Sequence, residues 1–324
     1  MGDNIFNIIR RFKSRIFGVY GSSEFLQERS LILQAGLLAK LNRTGKLKVL
    51  CDAEYRVFSQ WGEDGIIDWL VSRIPNIKKS FVEFGVQNYR ESNTRYLLTA
   101  QNWRGLVLDG SMVHIEDIRS QDIYWRHDLR AKCAFIDRNN INDLIAESGL
   151  KGDIGLLSVD IDGNDYWVWQ AIEVVSPAIV VCEYNAVLGD LLPLTIPYVA
   201  DFYRTRSHYS NLYFGASIRA LVQLAESKGY EFVGTTSTGC NAFFVRRDHA
   251  SQITGELGMI EAYPSSVRES RDANGRLTFV GGEARQEVIG HLPFVEPASG
   301  KVLDLASWGQ LSSNAWSQGE GVSL

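Results

Sequence analysis

Acidic residues recur at regular places in this chain, each at the end of a short apolar run. Glu83 lies inside FVEF and is followed by Gly85. Asp109 closes LVL and is followed by Gly110 and Ser111. Asp160 and Asp162 follow LLSV, and Glu183 follows IVVC and precedes Asn185. An acid at a strand end can accept both hydroxyls of a ribose, and a glycine just past a strand lets backbone approach a ligand closely. Gly85 is followed by Val86, Gln87, Asn88, Tyr89 and Arg90, with no second or third glycine to cradle a pyrophosphate. That speaks against NAD or FAD and permits a nucleoside ligand without phosphates. Asp160, Glu183 and Asn185 are hard oxygen donors of the kind that suits Mg²⁺. Asp162, Glu183, His127 and His208 are candidate bases. His208 stands out because an unperturbed histidine titrates near neutrality, whereas Asp162, just before Gly163, is equally a turn former. Ser59, Gln60, Glu63 and Asp64 gather around Gly62 and Gly65 and read either as a helix cap or as ligand contacts over the sheet edge.

The elements that must position these groups alternate. A strand over 81–84, a polar loop over 87–93, a helix carrying Tyr96, Leu97, Leu98 and Ala100, and a strand over 106–108 make the first half of a doubly wound α/β domain. The pattern then predicts a helix over 111–120, a short strand over 122–126 followed by His127 and Asp128, and a helix over 141–148. A strand over 154–159, a helix over 166–172 and a strand over 178–182 come next. Residues 188–213, rich in Pro, Tyr and Asp, read as a lid or substrate loop over the carboxyl edge, with His208 inside it. A helix over 217–228 leads to strands at 230–235 and 241–246, spaced as an antiparallel hairpin. The expectation is five parallel strands closed by that hairpin, with right-handed crossovers. Upstream, residues 24–41 and 58–74 read as helices. Beyond residue 250 the pattern weakens, with short strands or turns at 277–280 and 288–292. The chain thus divides into a helical extension over 1–57, a central domain over 58–249 and an irregular extension over 250–324.

Composition bounds the rest. The 324 residues are 45% apolar and 22% charged, with a net charge of −5, so no general affinity for nucleic acid is expected. No apolar run is long enough to span a membrane. Cys51, Cys133, Cys182 and Cys240 form no CxxC pair and suit reduced thiols in a cytoplasmic protein. Near the start, Ile5, Ile8, Ile9, Phe12, Ile16 and Phe17 recur at helical spacing among Arg10, Arg11, Lys13 and Arg15. This reads either as a membrane-surface helix, giving peripheral membrane association, or as a helix packed on the domain or on another subunit of a homo-oligomer. The basic residues interrupt the stretch where the apolar core of a signal peptide would lie.

EFGVQ, LVLDGS, LLSVDIDGNDYWVW and VVCEYN, in this order, resemble the S-adenosylmethionine-dependent methyltransferases of the FkbM-like group, as do SQWGEDGII and the closing segment around residues 213–245. The resemblance covers roughly residues 58–247. It implies a class I methyltransferase fold: a Rossmann-like, mostly parallel seven-stranded sheet whose last two strands form an antiparallel hairpin. It implies S-adenosylmethionine as cofactor, with Glu83 and Gly85 toward the methionine part and the turn, and Asp109 on the ribose. Asp128, after the third strand, falls near the adenine and Asp160 near the methyl-transfer centre. Gln60, Gly110 and Ser111 belong to the same expected set, and Asn88 or Asn93 stands in for the missing glycines. Similar sugar O-methyltransferases hold a divalent ion on acids at the ends of strands four and five, with a second acid where this chain has Asn185. The acceptor so implied is a sugar hydroxyl or a related group on a surface glycan or its nucleotide-linked precursor. The alternatives are a non-catalytic binding or assembly subunit of the same fold, and another transferase or a hydroxylase on it.

Overall fold

A computed structural model of the protein describes residues 26–324. The basic stretch expected to form an amphipathic helix over 5–17 lies outside the described residues. The described chain begins in helix α1 (26–42) and continues through α2 (Glu63–Arg73), β1 (Ser80–Phe84), α3 (Arg95–Gln101) and β2 (Arg104–Asp109). Then come α4 (Met112–Ser120), α5 (Asp122–Arg126), β3 (Leu129–Cys133), α6 (Ile141–Glu147), β4 (Gly152–Val159), α7 (Asp165–Ala171) and β5 (Val175–Glu183). The short α8 (Arg204–Ser207) lies in the long insertion. α9 (Ile218–Ser227), β6 (Tyr230–Thr235) and β7 (Asn241–Arg246) follow.

The seven strands lie in the order β3-β2-β1-β4-β5-β7-β6. β1 to β5 run parallel, and β7 is antiparallel to both β5 and β6. The fold is therefore the doubly wound, Rossmann-like α/β sheet with a closing hairpin that the alternation predicts. The strand order reverses between β1 and β4, and in such sheets ligands bind in the crevice at that switch point.

Near-continuous apolar strands, as in VVCE, are what a sheet covered on both faces requires. Successive side chains alternate between two cores. Val82, Phe84, Leu106, Leu108, Val180 and Cys182 pack with Trp169 on one side. Phe81, Val107, Ile179 and Val181 pack with Trp69 and Trp103 on the other.

The third strand corrects the sequence reading. Residues 122–126 are helix, not strand: Asp122 accepts from Trp125 Nε1 at 3.4 Å and pairs with Arg126 at 2.7 Å, contacts that need helical spacing. The strand is the next segment, Leu129–Cys133. His127 and Asp128 therefore enter β3 instead of leaving it, at the amino edge of the sheet. There the Asp128 carbonyl accepts from Gly105 N, and the residue lines a small cavity with Arg104, Arg130 and Gly149. Neither His127 nor Asp128 reaches the crevice.

Two further expectations shift. α2 starts only at Glu63, because Gly62 before it takes φ +118°. In the C-terminal extension, residues 288–292 take the turn alternative at the end of a short helix, and 277–280 form only an isolated bridge at Leu277. The hairpin there pairs β8 (Pro293–Glu296) with β9 (Lys301–Asp304). This extension packs against the central sheet domain, as its reading as a packed extension expects: Val295 bridges Thr195, and Trp316 Nε1 donates to Ala186 O at 3.2 Å. Among the described residues, no helix is long and apolar enough to cross a membrane.

Candidate active site

The turn after β1 is built from the inside. The Glu83 carboxylate is buried under the loop that follows and accepts from Ser92 Oγ (2.7 Å), Thr94 Oγ1 (2.5 Å), Asn93 N (2.8 Å) and Thr94 N (3.1 Å). Burial pushes its pKa up, and those four donors hold it down. Glu83 is thus an anchor for residues 92–94 and does not line the crevice. Asn93, expected to touch cofactor, is likewise turned inward, its amide on Ser158 Oγ at 3.1 Å. Asn88 caps its own turn by accepting from Arg90 N. Replacing Glu83 by glutamine turns one of these acceptor oxygens into a donor. We expect a loss of about 1.5 kcal/mol for one such buried mismatch, read as a shift in the urea midpoint at unchanged slope.

Past Glu83 the backbone bends at Gly85, whose φ is +70° and whose missing Cβ would lie 1.8 Å from the Asp160 carbonyl. The tips of β1 and β4 can meet only at a glycine. The turn continues with Gln87 at φ +46°, and its N–H donates to Asp109 Oδ2 at 2.8 Å. Asp109 Oδ1 accepts from Ser111 N at 2.7 Å and faces His114 Nδ1 at 3.1 Å. The acid at the end of β2 is therefore fixed in place by the turn after β1 and the start of α4.

Two cavities open along this edge. The first, of about 500 Å³, is lined by Gly85, Asp109, Gly110, Ser111 and His114, with Ala134, Phe135 and Ile136 beyond the end of β3. The second, of about 260 Å³, is lined by Gln60, Glu183, Asn241, Val267, Glu269 and Arg285, among others. Gly85, Gln87, Asp160, Asp162, Arg204 and Glu269 border both.

That shared wall is strongly charged. Arg204 reaches in from the insertion and lies 2.5 Å from Asp162 Oδ1, 2.8 Å from Glu269 Oε1 and 3.9 Å from Glu183 Oε1. Its guanidinium carbon lies 3.7 Å from the Phe214 ring centre, and its Nε donates to Asn211 O. Behind it, Asp160, Asp165 and Glu183 each offer a carboxylate oxygen within 4.8 Å of the others. Burial, then the charge of Asp162, lifts Asp160 well above the usual carboxylate range. Burial, then Asp160, does the same to Glu183. Burial raises Asp165 to about 6, although both its oxygens accept backbone N–H groups, from Ile161 and Gly163. Glu183 Oε2 is buried with no hydrogen-bond partner among the described residues.

Several expectations for this edge change. Asn185 is not free to bind a metal. Its amide nitrogen donates to Leu212 O and Phe214 O, and its oxygen accepts from Val187 N, so it holds the insertion in place. The third carboxylate near Asp160 and Glu183 is Asp165, whose oxygens also accept from Ile161 N and Gly163 N. His208 borders neither cavity; its Nδ1 meets Ser210 Oγ at 2.7 Å and its ring lies against Tyr209. Burial, then His291, lowers its pKa. The group around Gly62 is structural. Asp64 accepts from the N–H groups of Val57, Phe58 and Ser59, and Glu63 accepts from Trp61 N and Asn241 Nδ2. Only Gln60 of that group reaches a cavity. Sequence reasoning missed His114, Phe135, Arg204 and Glu269. A correct placement of β3 would have exposed Phe135, which follows it by two residues.

No family model matches the chain, and no curated protein matches it in sequence. Among solved structures, the chain is similar to the N-terminal domain of EvdMO1, crystallised in the presence of SAH and D-fucose, at 11% identity and a TM-score of 0.39, covering 68% of this chain and 96% of that one. It is also similar to an O-methyltransferase from Bacillus cereus in complex with SAH, at 11% identity and a TM-score of 0.38, covering 66% and 89%. An S-adenosylmethionine-dependent methyltransferase from Clostridium acetobutylicum ATCC 824 matches at 10% identity and a TM-score of 0.37, covering 57% and 90%. These likenesses are distant; the fold stands on the strand order and register.

Proposed function

We propose that this protein is an S-adenosylmethionine-dependent O-methyltransferase of the FkbM-like group, acting on a sugar or glycan-linked hydroxyl, with residues 58–249 as the transferase domain. The observation that carries the reading is the pair of adjoining cavities at the switch point, divided by a carboxylate-rich wall. The first fits a nucleoside without phosphates. It has a fixed acid in Asp109, a pinched backbone at Gly85, an apolar flank at Phe135 and Ile136, and no glycine cradle. The second is lined mainly by polar side chains, which suits a polyhydroxylated acceptor.

S-adenosylmethionine, when bound, supplies an already activated methyl group. The protein's part is placement and proton removal. Asp109 would accept the ribose hydroxyls, and Phe135 with Ile136 would face the base. Asp160, which borders both cavities, would line the boundary between donor and acceptor. Glu183 is the candidate base: its Oε2, buried and without a hydrogen-bond partner among the described residues, would take the acceptor's hydroxyl proton. Calorimetry with S-adenosylhomocysteine tests the first half of the reading. Absence of heat at millimolar ligand with folded protein overturns it. Binding without turnover on any glycan acceptor would favour the non-catalytic subunit.

A second reading rests on the convergence of Asp160, Asp165 and Glu183. These three hard ligands would hold a divalent cation that polarises the acceptor hydroxyl, leaving Asp162 as the remaining carboxylate to take the proton. On that reading Mg²⁺ or Mn²⁺ raises Tm, and a Glu183→Gln variant loses the shift. Full-rate activity after exhaustive EDTA treatment would dispose of the ion and leave Glu183 as the base.

A further inference from the structure

α1 is apolar on its outer side as well as on its inner one. Inward, Ala35 and Ala39 are 2% and 4% exposed and pack with Tyr55, Phe58 and Tyr96. Three contacts fix that orientation: Glu28 with Arg95 at 3.1 Å, Arg43 with Asp68 at 2.9 Å, and Asn42 Nδ2 with Ala53 O at 3.0 Å. Outward, Leu26, Leu33, Leu37 and Leu41 are 64%, 73%, 63% and 66% exposed. With 3.6 residues per turn these four fall in one sector about 80° wide. Leu31 and Leu38, also exposed, lie about 60–80° beyond its edge, past Gln27 and Gln34. Scattered surface leucines need no explanation, but four on one face of one helix, interrupted in that sector only by Ser30, mark a contact surface.

The charge of the surrounding chain says what the surface meets. Residues 1–48 contain nine Lys or Arg against three Asp or Glu, a surplus of six positive charges. The whole chain carries −5, so the remaining residues carry −11. Lys40, Arg43, Lys46 and Lys48, at the end of α1 and just past it, are exposed. A leucine stripe within a basic segment of an otherwise acidic protein has the makeup of an interfacial helix on anionic lipid. A second copy of this chain meeting α1 on α1 would bring the same positive surplus against itself, which disfavours that partner.

We propose that α1 docks on an anionic membrane surface, its outward leucines entering the interface and the flanking Lys and Arg meeting headgroup phosphates. This goes beyond methyl transfer and does not rest on it. The test is flotation of the full chain with vesicles of phosphatidylcholine alone and of phosphatidylcholine with phosphatidylglycerol. The protein is expected to float with the anionic vesicles only, and to be released at about 0.5 M salt. Leu33→Glu/Leu37→Glu is expected to weaken vesicle binding at least tenfold or so, with the circular dichroism spectrum and Tm unchanged because both side chains point outward. Leu33→Ser/Leu37→Ser, without added charge, is expected to weaken it in the same direction. Failure of the wild type to float with anionic vesicles overturns the proposal. So does a lipid-free dimer that the glutamate pair dissociates without any loss of vesicle binding.

Discussion

Asp109→Ala is expected to weaken S-adenosylhomocysteine binding about a hundredfold or more, while the protein stays folded. The carboxylate sits at the end of β2, held by the N–H groups of Gln87 and Ser111 and faced by His114, and it borders the larger cavity. Hydrogen bonds to a charged group contribute about 1.5–3 kcal/mol each, and a ribose can offer two. A hundredfold is about 2.7 kcal/mol, just under the roughly 3 kcal/mol that two such bonds give at the least. Calorimetry reads it directly. Unchanged affinity in a folded variant would mean that the nucleoside site has been placed in the wrong cavity.

The second large effect is on the fold at the same point. Gly85→Ala is expected to cost about 3 kcal/mol or more, from a non-glycine residue forced to positive φ and from overpacking against backbone. The added carbon would lie 1.8 Å from the Asp160 carbonyl, and φ there is +70°. Because the opposing atom is backbone, no rotamer relieves the contact; the tips of β1 and β4 must part. A fall in Tm of roughly 6–12 °C follows for a domain of this size, together with loss of nucleoside binding. A variant of wild-type stability would show that the two strand tips do not meet as described. Gly152→Ala is a useful control, since its Cβ would meet nothing within 4 Å although its φ is also positive.

Much of the sheet was legible because buried parallel strands announce themselves as apolar runs, and because hairpin strands such as 230–235 and 241–246 are bounded by turn residues. β3 was not. Its sequence LRAKC carries two basic residues and lies at the sheet edge, whereas the neighbouring DIYWR is rich in β-prone side chains yet winds into a helix. That one slip carried Asp128 to the wrong end of the domain and hid Phe135. In the site, Asp109 and Glu183 were legible as the last residues of strands, and Gly85 and Asp160 as the residues just past them. Arg204 and Glu269 were not, because no local pattern tells that residues 65 positions apart will share an ion pair. Asn185 was misread for a related reason. An amide at a strand end looks like a ligand until the loop carbonyls of Leu212 and Phe214 are found to occupy it.

The smaller cavity has walls of two origins. Glu183 and Asn241 come from strand tips, but Ser265, Val267, Glu269 and Arg285 come from the segment after the sheet is complete. Arg285 is itself pinned to the carbonyls of Ser265, Val267 and Gly282, which makes that segment a self-braced panel. Such a chain can be retargeted piecemeal. Grafting a different panel over 265–285 would recut the second cavity and leave Asp109 in place, with Glu269 the one panel residue that also borders the first.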